Sequence, residues 1–268
     1  MLTRLFSTLM ISACPMLASA QQLDVSQVTF LEGWRMENGH HMGAVQISLA
    51  PGWKTYWRAP GANGIPPEFD WAGSENIASV RVHWPRPEVF DTYGSTTIGY
   101  ENSVVMPIEI TPKEHGQPIN VNLGMFYGVC EDICIPAQAQ ITGSLPAETG
   151  LGNNVIKAAL AATPDSASNS GVASVTCVIE PSEKGILVSA EVKFSGDIGG
   201  LPLAVFETPS DQMWFTDATT EVIGNSLHTK AALETYAKDG AVAIDRNTIR
   251  LTLLGNDRAI EISGCPAG

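Results

Sequence analysis

Ile119-Asn120-Val121-Asn122-Leu123 and Ala139-Gln140-Ile141-Thr142-Gly143-Ser144-Leu145 each alternate apolar with polar residues, the mark of a strand that buries one face. Between them lies Tyr127-Gly128-Val129-Cys130-Glu131-Asp132-Ile133-Cys134-Ile135-Pro136. On a helix the two cysteines, at i and i+4, would share a face. Gly128 before the pair and Pro136 after it argue instead for a turn or hairpin end, where two sulfurs can meet. The stretch thus points to β-structure with a close thiol pair set into it.

Further out the pattern repeats. Ala44-Val45-Gln46-Ile47-Ser48-Leu49 alternates and stops at Pro51-Gly52, and Val80-Arg81-Val82-His83-Trp84 stops at Pro85. Residues 103–110 form another strand, in which Pro107 marks an edge or a bulge. Asn153 or Asn154 can cap a short helix that runs to residue 162, with Pro164 just past its end. Residues 165–171 are Ser/Asn-rich and read as a linker. Strands resume at 173–179, 186–194, 203–207, 248–254 and 259–262, while 226–239 has room for a short helix. The expected fold is all-β: a β-sandwich over residues 21–150, a helix and linker over 151–171, and a second, smaller β-rich domain over 172–268.

Composition sets the compartment and excludes some partners. With 44% apolar and 16% charged residues the chain is an ordered globular protein. A formal charge of −13 disfavours nucleic acid and anionic membranes, which require basic patches. Arg4, the apolar run from residue 5 to 17 and Ala18-Ser19-Ala20 make a secretory signal over residues 1–20 with a small-x-small cleavage site. Ile11-Ser12-Ala13-Cys14 resembles a lipoprotein site, but only about six apolar residues precede Cys14, fewer than a usual apolar region. No other stretch has the roughly 20 apolar residues of a membrane span. The expectation is an exported, soluble monomer.

Export leaves Cys130, Cys134, Cys177 and Cys265, an even set in an oxidising compartment. Short spacing favours Cys130–Cys134, which leaves Cys177–Cys265 as a structural bridge. That bridge would close about 90 residues and contribute about 4–5 kcal/mol in the chain-entropy model. The close pair has three readings: a local staple, a redox centre, or a soft ligand set for Cu(I), its Cys-x-x-x-Cys spacing being similar to exported copper chaperones. His40-His41-Met42 adds little to the copper reading, because successive strand residues face opposite ways. Zinc would need four protein ligands, and no second close pair exists, so no metal and no cofactor is expected. Glu131 and Asp132 carry like charge beside the thiols, and no helix start precedes them. Both thiols are therefore expected to titrate at or above the ordinary value of ~8.5.

The cysteine segment through Ala137 resembles the active-site segment of the N-terminal periplasmic domain of DsbD and ScsB, membrane thiol:disulfide reductases. Pro51-Gly52-Trp53-Lys54-Thr55-Tyr56-Trp57-Arg58-Ala59-Pro60-Gly61, Gly64-Ile65-Pro66-Pro67 and Tyr93-Gly94 are similar to the ScsB-like branch. The resemblance covers residues 25–148. It implies an immunoglobulin-like β-sandwich with a redox-active pair, in which Cys134 forms the mixed disulfide and Cys130 resolves it. It also implies a periplasmic protein-disulfide reductase component, fed by a membrane electron donor and passing electrons to thioredoxin-like clients. A cap over the pair would come from Phe90, Asp91, Thr92 and Tyr93. Thr92 stands where DsbD has a covering phenylalanine, so Phe90 or Tyr93 would have to replace it.

Trp53, Tyr56 and Trp57 either flank the pair or pack over one end of the sandwich. Arg58 orients an acid near the pair or makes a structural ion pair, and His83 and His115 read as ordinary strand or turn residues. The chain has no nucleophile elbow and no glycine-rich phosphate loop, so hydrolase and nucleotide-enzyme readings find no support.

Overall fold

The structure, a computed structural model, describes residues 25–92, 95–148, 150, 152–182, 185–210, 212–236 and 244–267. The first half of the chain supplies β1 (Ser26–Arg35), β2 (His41–Leu49), β3 (Lys54–Tyr56), β4 (Glu68–Asp70) and β5 (Ser79–Val82). These are followed by β6 (Glu88–Thr92), β7 (Ser95–Glu101), β8 (Ser103–Thr111), β9 (Ile119–Cys130) and β10 (Cys134–Leu145). Strands β1, β2, β8 and β5 lie side by side in that order. Facing them is the sheet β10-β9-β3-β7-β6, with β4 added to β9.

The alternation in the sequence explains why these sheets close on each other. Val121, Leu123, Met125, Tyr127 and Val129 of β9 are buried, as are Val104, Met106, Ile108 and Ile110 of β8. The two sets meet in one immunoglobulin-like core. Each fully buried aliphatic side chain of this kind contributes roughly 1.5–3 kcal/mol relative to exposure. The other face of β2 and β8 is sealed by α1 (Asn154–Ala161), whose Ile156 packs with Met42 and Ala44. Asn153 caps it, its side chain accepting from Val155 and Ile156 N–H groups.

Pro107 occupies neither an edge nor a bulge. Strand β8 is an inner strand, and its register against β2 runs unbroken through Ala44–Pro107. The His83 N–H donates to the Pro107 carbonyl. The N and O of one residue face the same side of an antiparallel strand, so the missing N–H falls just past the end of β5 and the ladder to β2 is intact. At this sheet's surface Glu109 accepts from His40 Nδ1 at 2.7 Å and His83 Nε2 at 3.2 Å. His41, one residue on from His40, is fully buried and bonded through Nε2 to the Glu32 carbonyl.

The second half begins with β11 (Asp165–Ser166), β12 (Val172–Ser182), β13 (Gly185–Phe194), β14 (Leu203–Glu207) and β15 (Met213–Phe215). It continues with β16 (Thr219–Ile223), β17 (Ser226–Thr235), β18 (Arg250–Leu254) and β19 (Ala259–Ser263). One sheet runs β11-β19-β18-β14, the other β12-β13-β17-β15 with β16 also on β17. Residues 165–171 are not a free linker: Asp165–Ser166 pairs in parallel with β19, and a 3-10 turn follows. Residues 226–239 are not a helix either, since Ser226–Thr235 is strand β17. Leu227, Thr229, Ala231 and Leu233 are buried at every second position. The alanines there favour a helix in isolation, and pairing with β13 overrides that preference. Cys177 on β12 is bonded to Cys265 after β19, so this bridge ties one sheet to the other inside the second core.

The sheet β11-β19-β18-β14 is covered on both faces. Phe206, Leu251, Leu253, Ile260 and Ile262 point into its own core, while Leu203, Val205, Leu254 and Ala259 pack against the core of the first half. On that second face Arg58 donates to Glu207 from Nε at 2.8 Å and from Nη2 at 3.0 Å. The same Nη2 reaches Glu261 at 2.8 Å. Burial alone would lower the Arg58 pKa, but the two carboxylates reverse this and hold it above its ordinary value.

Two outcomes follow from these pairs. Arg58→Met leaves the largely buried Glu207 with the Thr252 hydroxyl at 3.4 Å and Arg250 at 3.9 Å. The expected loss is about 3 kcal/mol in urea unfolding, and replacing Arg58, Glu207 and Glu261 together by apolar side chains should recover most of it. For Glu109, the His40 hydrogen bond, aided by His83, holds the carboxyl below its usual range. A depressed folded-state pKa contributes stability above the unfolded value that is lost as pH falls through the folded one. The urea midpoint of the native chain should therefore drop more steeply than that of Glu109→Gln as pH falls from about 5 to about 3.

Candidate functional site

Strands β9 and β10 run all the way to the cysteines, and Glu131-Asp132-Ile133 is the loop that joins them. Cys130 and Cys134 are register partners, disulfide-bonded, with Cα atoms 4.1 Å apart. That separation is closest to a non-hydrogen-bonded antiparallel pair, where side chains approach best. Because Val129 and Tyr127 point into the core, Cys130 and Gly128 lie on the outer face of the sheet. Strand β10 is the edge of this sheet, and Cys134 on it is exposed. Pro136, opposite Gly128, is two residues along and therefore of the same pair type. Its nitrogen faces the open edge, where a missing N–H breaks no bond.

Strand β3 lies on the inner side of β9, with Lys54 opposite Cys130 and Thr55 opposite Val129. This register puts Lys54 and Tyr56 on the face that carries the disulfide. The Tyr56 hydroxyl donates to Cys134 Sγ at 2.9 Å. Burial pushes the Tyr56 pKa up, so the hydroxyl keeps its proton and remains a donor. Gly128 makes this reach possible: a Cβ there would stand 2.8 Å from the Tyr56 ring and 2.7 Å from the Ile65 Cβ. Thr55 Oγ1 anchors the same glycine by donating to its carbonyl at 2.9 Å.

The other residues singled out in the sequence divide between this face and the core. Phe90 on β6 is linked to the site through Lys54, whose ammonium lies 4.4 Å from the ring centroid. Asp91 alternates to the other face of that edge strand. Tyr93 and the side chain of Thr92 lie outside the described residues, as do residues 1–24 with the leader and Cys14. Trp57 is not near the disulfide. It is fully buried in the core on the opposite face of the sheet, with Arg58 stacked on it at 4.3 Å, so the packing reading describes it. Trp53 is half-buried against the same core. Glu131 and Asp132 are exposed at the hairpin tip beside Ile133, which is 73% exposed.

Lys54, Gly128 and Ile65 complete the site; the sequence offers Lys54 and Ile65 only within the ScsB-like stretches and Gly128 only as a turn marker, whereas Gly128 lies inside β9. Gly128 carried a usable signal, since a glycine inside a strand marks a close approach. Electrostatically the site is less hostile to a thiolate than the acidic loop implies. Lys54 stands across from Cys130, and the Tyr56 hydroxyl would donate to a Cys134 thiolate. The described α-helix packs on the other sheet, so neither of its ends acts on the pair.

An immunoglobulin-like sandwich with an accessible disulfide on one sheet face is chemically able to exchange thiols. Residues 20–146 match the family described as Thiol:disulfide interchange protein DsbD, N-terminal, and that stretch of the chain is a domain of the family. Nearly the whole chain shares its fold with the N-terminal periplasmic domain of ScsB from Proteus mirabilis. The two are 22% identical, with 91% of this chain and 95% of that one covered and a TM-score of 0.67. The reduced N-terminal domain of DsbD from Neisseria meningitidis is 15% identical, with 43% and 84% covered and a TM-score of 0.25. No curated protein matches the chain significantly.

Removing the Tyr56 donor tests its effect on the sulfur. A hydrogen bond to a charged group is worth about 1.5–3 kcal/mol, and one pKa unit is about 1.4 kcal/mol. In a Cys130→Ser background, Tyr56→Phe should raise the Cys134 thiol pKa by about one unit or more. The pH dependence of its alkylation rate measures the shift. An unchanged pKa removes Tyr56 from the chemistry.

Proposed function

We propose that the chain is a periplasmic thiol:disulfide interchange protein that passes electrons to thioredoxin-like clients through Cys130 and Cys134. The observation that carries this reading is the contrast between its two disulfides. Cys177 and Cys265 are 3% and 2% exposed inside the second core, whereas Cys134 is exposed on an edge strand with a hydroxyl aimed at its sulfur. A bridge that serves only as a staple needs no such access.

In the reaction, the Cys134 thiolate attacks one sulfur of a client disulfide. A new S–S bond forms, the client's own bond breaks, and its departing sulfur takes a proton. Cys130 then attacks Cys134 Sγ, closing the intramolecular disulfide and releasing the second client thiol. Two electrons have moved from this chain to the client. A dithiol donor, a thioredoxin-like module supplied through a membrane protein, returns the pair to the reduced form by the same exchange in reverse. Exposure favours Cys134 as the attacking residue, and Cys130, half-buried behind it, as the resolving one. Phe90, carried by Lys54 on the same face, supports a shielding role for the β6–β7 hairpin.

Trapping separates the two cysteines. Cys130→Ala, which leaves Cys134 free, should accumulate mixed disulfides with periplasmic thioredoxin-like proteins on non-reducing gels. Cys134→Ala should trap far fewer. Absence of any trapped partner from both variants defeats the relay and leaves the pair a staple, with a reduction potential below about −300 mV.

A further inference from the structure

The second half of the chain also contributes to a cleft that the thiol chemistry does not use. It measures about 1020 Å³ and lies where two sheet edges face each other, β14 on one side and β15 on the other. Each of these strands pairs on one side only among the described residues, β14 with β18 and β15 with β17. Edge strands present every second N–H and C=O outward, unpaired. The loop at residues 60–66 of the first half closes the cleft.

Its chemistry is specific. Trp214 and Tyr236 lie against each other with ring centroids 4.4 Å apart, yet they are 37% and 70% exposed. Asp217 and Glu234 line the same space and have no ion-pair partner among the described residues. Among the described residues Arg58 is the cation that lines it, and Glu207 and Glu261 already hold that guanidinium. The uncompensated charge of the cleft's described lining is therefore negative. Its volume lies at the upper end of the roughly 300–1,000 Å³ of small-ligand pockets, and its length along two strands suits an extended chain.

We propose that this cleft binds an extended, basic segment of a partner polypeptide by strand addition. The open edges supply main-chain hydrogen bonds, Trp214 and Tyr236 supply a surface for a lysine or arginine stem and its charge, and Asp217 and Glu234 pair with that charge. The loop that closes the cleft connects it to the disulfide. Ile65 abuts Gly128, and Gly64 abuts the Tyr56 ring, so a bound segment lies one loop away from Cys134.

The test is a titration of the full chain with a blocked heptapeptide of alternating lysine and valine, followed by tryptophan fluorescence and calorimetry. Saturable binding is expected. It should weaken at least tenfold in Trp214→Ala and in Asp217→Asn/Glu234→Gln, and should vanish for the glutamate–valine peptide. Methylating alternate peptide amide nitrogens should abolish it on the unaltered chain, a result that depends on no variant's folding. Absence of binding overturns the proposal, as does binding indifferent to the sign of the peptide charge, to methylation or to these variants. No thiol exchange occurs in this titration, so its failure leaves the redox reading standing, and failure of the trapping experiment leaves the cleft standing.

Discussion

The two-residue period of β9 is the constraint on which the site depends. Tyr127 and Val129 belong to the core, so Gly128 and Cys130 have no choice but to face outward. A slip of one residue would bury the sulfur and expose the tyrosine. Once β9 is fixed, its neighbours follow. Register against β10 brings Cys134 to Cys130, and register against β3 brings Lys54 across from the same sulfur. Tyr56 is the next outward residue of β3, and the bare backbone at Gly128 lets its ring cross to the far strand.

The parts legible in the sequence were those written in local pattern. Alternation through 119–123 and 139–145 announced strands, and the cysteine spacing announced a pair that could meet. Asn153 and Pro164 bounded the helix. What could not be read was pairing between distant strands. Tyr56 stood out as an aromatic near the motif, but its bond to Cys134 depends on β3 lying beside β9, a contact 78 positions apart. Trp57 looked equivalent to it, and one step along the strand sends it to the opposite face. Residues 226–239 failed for a related reason: alanines say little about period, and only pairing with β13 makes that segment a strand.

Charged residues in the second half were equally opaque. Glu207 and Glu261 each sit in a short strand whose alternating pattern puts them on a face that a free sandwich would give to water. The first half covers that face instead, and Arg58 meets them there. An ionic cluster of this kind adds little net stability beyond what apolar side chains of similar volume would give. The apolar contacts of Leu203, Val205, Leu254 and Ala259 supply the attraction around it.

Pro136 bears on how such a protein lives at high concentration. The edge of a sheet is where chains join end to end into larger assemblies, and here the edge must stay uncovered so that Cys134 can be reached. The proline removes one of the main-chain donors that a second copy would seek beside the cysteine. The border of the molecule is thus open to a visiting sulfur and offers a broken ladder to a visiting backbone. Reactivity and resistance to polymerisation occupy the same few ångströms of strand.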